Sequence, residues 1–265
     1  MRAVLSAILS RAMADGDRPR AENPAEGVPP FDETPRDRYL SAGEWERLAK
    51  AIVAERAALA DVPPSDTRPT QLDAILLLAL TGGRKEAVTK RRWRDVDWDH
   101  HILRVDPAHK GTTRIHLGEP ALALLRSWHA ERGDSNPFMF AGQRRRQGTR
   151  AGRGNSDERP KRIPAAISTI GPVWKSLCAR ASLENLHPHD LRRSFATVAG
   201  DVGVSAHIIG GLLSHVVPGV TGVYAHRTDP ALADAANRVA TEIAKRLRLA
   251  DAHNPRIISI KKGQG

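Results

Sequence analysis

HPHDLRRSFAT, residues 187–197, is the stretch on which the reading of this chain turns. Pro188 suits the first turn of a helix, where its missing N–H would be unpaired anyway and its φ is already set. On a helix over 188–200, His189 and Arg192 stand at i and i+3 and project from one face, so the pair can grip a single anion. Working outward, TGGR at 81–84 places Arg84 after a Thr-Gly-Gly turn, where the chain leaves a buried helix at the amino end of the next; such ends favour phosphate. GGLLSH at 210–215 ends a helical run in His215, and nine residues later comes Tyr224, one of only two tyrosines. Singly, each group has an ordinary explanation: a surface salt bridge for Arg84, a helix-start residue for His189, a rim aromatic for Tyr224.

Composition narrows the class of partner. The 265 residues carry 41 Lys+Arg against 30 Asp+Glu, a formal charge of +11, and a balance this basic points to a polyanion. The length supports one large or two small domains with a core that needs no disulfide or metal staple. Cys178 is the only cysteine, which excludes an internal disulfide framework and fits a reducing, cytoplasmic compartment. The longest apolar run, 74–80, falls far short of the roughly 18 residues of a membrane span, so no membrane partner is expected. Zinc-hydrolase, P-loop and dinucleotide-binding motifs are absent. No acidic or cysteine cluster accompanies His100-His101 or His187/His189, so neither a metal nor another cofactor is expected.

The periodicity predicts a mainly α chain with one small antiparallel sheet, an α+β class. Residues 1–16 read as an amphipathic helix with Leu5, Ile8, Leu9 and Ala12 at helical spacing, and 17–38, rich in Pro and charge, as an extended linker. Ser41 with Glu44 forms a capping box for a helix over about 42–60, and Thr70 is placed to cap the apolar helix QLDAILLLAL. ILRVD and TRIHL, joined by PAHKGT, predict a two-stranded hairpin between Trp98 and Leu117. Further helices are predicted over 119–132, 165–181 with Pro172 inside, 188–200, 204–214 and 230–248. Between them, 141–162 holds eight Lys/Arg, two acids and no apolar periodicity, and reads as a basic loop. Leu232, Ala236, Val239, Ile243 and Leu247 make an apolar stripe that packs either on its own domain or into a neighbouring protomer. Residues 251–265 read as a basic tail.

Taken together, three boxes resemble those of the tyrosine recombinases, the phage-integrase type of site-specific DNA recombinase. TGGRKEAVTKRRWRDVDW (81–98) resembles the first arginine box, HDLRRSFAT (189–197) the second, and LLSHVVPGVTGVYAH (212–226) the histidine–tyrosine box. The resemblance runs from about Leu40 to Val239. It implies a tyrosine recombinase catalytic-domain fold over 39–250, with the helix of 1–16 as the remnant of a core-binding domain that would otherwise close a clamp on DNA. It also implies double-stranded DNA as partner, weak and salt-steep binding without the clamp, and a tetramer on DNA from a chain that can be monomeric in solution.

By the same resemblance Tyr224 is the nucleophile that forms a 3′-phosphotyrosyl link, without metal or ATP, and Arg84 and Arg192 bind the nonbridging oxygens. His215 adds a hydrogen bond, His189 is the general base, and Lys110 on the hairpin turn is the general acid, with Lys85 and Lys90 as rivals. Arg91, Arg92, Arg144, Arg145, Arg146 and Arg193 are expected on DNA. This chain departs from the pattern in three places. Ala87 stands where a glutamate usually follows the first arginine, with Glu86 one place early. The hairpin is short, and Ser214 replaces a glycine, which the sequence suggests is harmless. A type IB topoisomerase and a noncatalytic DNA-binding remnant are the alternative readings.

Overall fold

The computed structural model describes residues 2–17, 23–29, 36–63, 65–105, 113–132, 136–145, 162–214 and 229–249. The chain divides into two compact units, Met1–Asp37 and Arg38–Gly265. In the first, helix α1 (Arg2–Ala14) buries none of its residues and leaves Val4, Leu5 and Ile8 exposed. Within the stretch that reads as extended linker, Asn23 is bonded to this helix. The Asn23 amide donates to the Ser6 carbonyl and the Ser10 hydroxyl, both at 2.9 Å, and its carbonyl accepts the Ala25 N–H at 3.0 Å. A buried amide must find such partners, and Asn23 is buried.

The second unit is helical with two small antiparallel sheets, which bears out the expected class. Helix α2 (Ala42–Ala58) starts on the capping box read from the sequence, with Ser41 as N-cap and Glu44 returning the bond. Trp45, Leu48, Ala49 and Ile52 form its buried face. Helix α3 (Arg68–Thr81) starts earlier than expected: Thr67 is the N-cap, Thr70 lies inside the first turn, and Pro69 fits the initial position that its ring tolerates. Every residue of α3 from Gln71 to Thr81 is buried, as a helix apolar on all sides must be. The short α4 (Lys85–Thr89) and a 3₁₀ turn follow.

Strands β1 (Val96–Asp97), β2 (Ile102–Val105) and β3 (Thr113–His116) make a three-stranded sheet in that order, one strand more than the expected hairpin. Leu103 pairs with Val96 on one side and Ile115 on the other, and all three are buried. After α5 (Glu119–Arg132), the basic stretch holds a second correction. β4 (Ala141–Arg145) and β5 (Arg162–Ala166) pair antiparallel, so both ends of the expected loop carry strands. The next helix, α6 (Gly171–Arg180), therefore begins only at Gly171. Pro172 sits at its first turn rather than inside a longer helix, where it would remove a hydrogen bond and clash with the preceding turn.

Helices α7 (Asp190–Asp201), α8 (Ala206–Leu212) and α9 (Asp229–Arg246) complete the unit. Helix α3 runs through the centre, packed by α2, α5, α6, α7 and α9. The stripe Leu232, Ala236, Val239, Ile243 and Leu247 is buried against the chain's own core, which settles its two readings in favour of the home domain. Gly118 makes this possible: a Cβ there would stand 2.7 Å from that of Ala240. No described helix is long and apolar enough to cross a membrane.

Candidate active site

The turn that carries Arg84 is built by its neighbours. Thr81 donates its hydroxyl back to the Leu77 carbonyl at 2.6 Å and accepts the Gly83 N–H at 3.3 Å. Gly82 then ends α3 in the left-handed region, φ +61°, where glycine carries no steric penalty. A Cβ on Gly82 would also lie 2.8 Å from the ring of Phe195 on α7. This close approach brings the turn of Arg84 against the helix of Arg192.

Arg192 uses that proximity. Its guanidinium is buried, with one nitrogen donating to the Gly82 carbonyl at 2.8 Å and another to the Leu213 carbonyl. Those acceptors belong to the Arg84 turn and to the end of α8, the last turn before His215. One side chain thus ties together all three sequence boxes. Among the described residues no carboxylate pairs with Arg192 or with the exposed Arg84. Burial first, and then the Arg84 charge, pull the Arg192 guanidinium down to about 10, so it remains a cation at neutral pH. Two guanidinium groups within electrostatic reach, one buried and neither neutralised by a described residue, make a strong anion site.

His189 is the N-cap of α7 rather than a residue within it, and its backbone is already helical at φ −69°, ψ −22°. Its carbonyl accepts the Arg192 N–H at 3.1 Å, so the two keep the expected spacing around one turn. Burial, then the charges of Arg193 and Arg192, hold the imidazole below its ordinary range, and Asp190 opposes them. The sequence reading missed Asp190. Its fully buried carboxylate accepts the His187 N–H at 2.8 Å and a nitrogen of Arg193 at 2.9 Å, which fixes the HPHD turn. An acid reaching back three residues to a helix-start N–H is half of a capping box, a signal present in the sequence.

The other candidates separate. Glu86, one place early in the first box, pairs with Lys85 and Lys90, the two rival lysines, and not with Arg84. Ala87 is partly buried against the core. Arg92 stacks over Phe138, 5.0 Å to the ring centroid, and the Nε of Arg91 is buried with no hydrogen-bond partner among the described residues. Arg144 and Arg145 lie on β4. Ser214 has φ +51°, so the glycine that the sequence suggests is harmlessly replaced would be favoured here by about 1 kcal/mol. Tyr224, His215, Lys110 and Arg146, with the tail 251–265, lie outside the described residues. No group of three or more His, Cys, Asp or Glu suited to a metal occurs among the described residues.

The phage integrase family model matches residues 44–230, well over half of the chain. The chain belongs to the phage integrase family. Its curated relatives in this family include tyrosine recombinase XerA of Pyrococcus furiosus, 28% identical over 193 residues that cover 72% of this chain and 62% of that protein. Tyrosine recombinase XerC of Xanthomonas axonopodis pv. citri is 27% identical over 184 residues, covering 68% of this chain and 55% of that one. The chain therefore spans little more than half the length of these relatives. Among solved structures, the Tn1549 transposon integrase in complex with circular intermediate DNA superposes with a TM-score of 0.52 at 17% identity, over 87% of this chain and 75% of that one. At that identity the likeness is one of fold. It agrees with the mainly helical fold expected from the three boxes.

Proposed function

We propose that this integrase-family chain is a site-specific recombinase that cuts and rejoins double-stranded DNA through Tyr224. The observation that carries the reading is the buried Arg192, met by no carboxylate among the described residues and hung from the carbonyls of Gly82 and Leu213 beside Arg84. A scissile phosphate is the anion this pair suits, because charge builds on its nonbridging oxygens as the bond to the leaving oxygen lengthens.

In the reaction, the Tyr224 oxygen attacks phosphorus, its proton passes to His189, and the 5′-oxygen leaves with a proton from Lys110. The product is a 3′-phosphotyrosyl bond and a 5′-hydroxyl. Attack by the 5′-hydroxyl of a second strand reverses each transfer and frees Tyr224, so the phosphodiester energy is conserved without ATP. A depressed imidazole suits His189 to accept a proton at neutral pH. His215 donates to the same phosphate, and Arg91, Arg92, Arg144, Arg145, Arg146 and Arg193 supply backbone contacts along the duplex. Four copies assemble on DNA, from a chain that can be monomeric without it, and the work is done in the cytoplasm.

Covalent trapping tests this reading. Nicked suicide duplexes, drawn from sequence flanking the gene, are incubated with wild type and Tyr224→Phe. An adduct that survives denaturation in the wild type alone supports it. Binding of the same duplexes with no adduct overturns it in favour of a noncatalytic DNA-binding remnant.

A further inference from the structure

The second unit begins at Arg38, and its first residues are fastened at several points. Arg38 pairs with Glu44, and Ser41 and Glu44 exchange the capping bonds of α2. These fasten the incoming chain to α2, a helix that carries no site residue. A different bond crosses to the site. The Leu40 N–H donates to the Ser194 hydroxyl at 2.9 Å, and that hydroxyl donates in turn to the Asp190 carbonyl at 2.8 Å. Leu40 and Ser194 are both buried, Ser194 completely. Arg38 adds a longer contact of 3.5 Å to the Glu184 carbonyl, in the segment that leads into the HPHD turn.

Serine within a helix ordinarily bonds only to the carbonyl four residues back. Here the same hydroxyl also takes a donor from 154 residues away, so it accepts as well as donates. Its position matters as much as its bonds. Ser194 lies two residues from Arg192, and its acceptor Asp190 is the residue whose carboxylate holds the His187 N–H and Arg193. Any shift of the chain at Leu40 therefore reaches the first turn of α7 by one hydrogen bond on each side of one oxygen.

We propose that Ser194 is a positioning residue, tying the incoming chain at Leu40 to the turn that holds His189 and Arg192 and so setting their place against the phosphate. The inference rests on the strand-transfer reading above.

The test uses the full chain as wild type, Ser194→Ala, Ser194→Cys and Ser194→Thr. Three quantities are measured: hydrogen exchange at the Leu40 amide, the rate of covalent adduct formation, and the dissociation constant for the same duplex. In Ser194→Ala the Leu40 amide is expected to exchange freely and the adduct rate to fall about tenfold, as small displacements of reacting groups do, with binding changed less than twofold. Ser194→Cys fills the space with a weak hydrogen-bonding group and is expected to behave as alanine does, which covers failure of the alanine variant to fold. Ser194→Thr keeps the hydroxyl and is expected to restore both exchange protection and rate. The proposal is overturned if Ser194→Ala or Ser194→Cys frees the Leu40 amide yet cleaves at the wild-type rate, or if the amide stays protected. A wild type that binds but forms no adduct overturns the strand-transfer reading itself, a result distinct from either.

Discussion

Asp73 on α3 and Arg192 on α7 are both charged and both buried, and the protein treats them in opposite ways. Asp73 is met by Arg56 from α2, at 2.9 Å, and by Arg132 from the end of α5. Its charge is answered from within, and the result ties three helices together. Among the described residues Arg192 is met by two backbone carbonyls and faces a second cation, Arg84. Carbonyl dipoles orient a guanidinium but leave its charge in place. Burying an unanswered charge costs folding free energy, and that cost is recovered only when an anion arrives. A neutralised buried charge thus belongs to the architecture, and one left standing belongs to a ligand.

Substitution is the most direct way to break this contrast. Arg192→Ala is expected to reduce adduct formation by about 10³-fold, the loss typical of an oxyanion-stabilising donor, while the urea midpoint moves little, since the bonds lost to the Gly82 and Leu213 carbonyls offset relief of the buried charge. Arg192→Lys is not expected to restore the rate, since a point charge cannot span two carbonyls and a phosphate. Asp73→Asn should do the reverse, lowering stability by about 3 kcal/mol in urea unfolding and leaving the adduct rate per folded molecule unchanged. An Arg192 variant that unfolds, or an Asp73 variant that folds well but cannot cleave, would erase the distinction.

The cationic surroundings of the site also have a signature in pH. With His189 held low by burial and by the charges of Arg193 and Arg192, its neutral, proton-accepting form persists to lower pH than for a free imidazole. The acid limb of the cleavage profile should therefore lie below 6.5. Arg193→Gln removes one of those charges and leaves Asp190 to act unopposed by it, so the limb should move upward. A ring-proton NMR titration of His189 in both proteins checks the direction. The smallest effect is expected at Ser214→Gly, which relieves a left-handed serine and gains at most about 1 kcal/mol, read as a rise in Tm with the adduct rate preserved.

How much of this was legible beforehand depended on whether side chains or backbone did the work. The capping box of α2 and the apolar run of α3 are side-chain patterns, and both elements formed where the sequence placed them to within a few residues. The strands β4 and β5 lie in a stretch dominated by Arg, Gln and Gly, whose composition hides a pairing made by backbone groups. Pro69 and Pro172 moved two helix starts because proline is acceptable only in a first turn. At the site, Arg84, His189 and Arg192 announce themselves as side chains. The carbonyls of Gly82 and Leu213 do not, because every residue has one and only the fold selects which are used. Ser194 was visible only as a letter in the second box, since its partner Leu40 is distant in sequence.

Gly82 carries a consequence for selection experiments. Its φ of +61° and the 2.8 Å that would separate an added Cβ from Phe195 leave no room for another residue. A saturation library scored by recombination alone would rank Gly82 beside Arg84 and Arg192 and invite a catalytic explanation for all three. The same library scored for protein abundance should divide them, with variants at Gly82 depleted from the cell and variants at the two arginines accumulating as intact, inert protein.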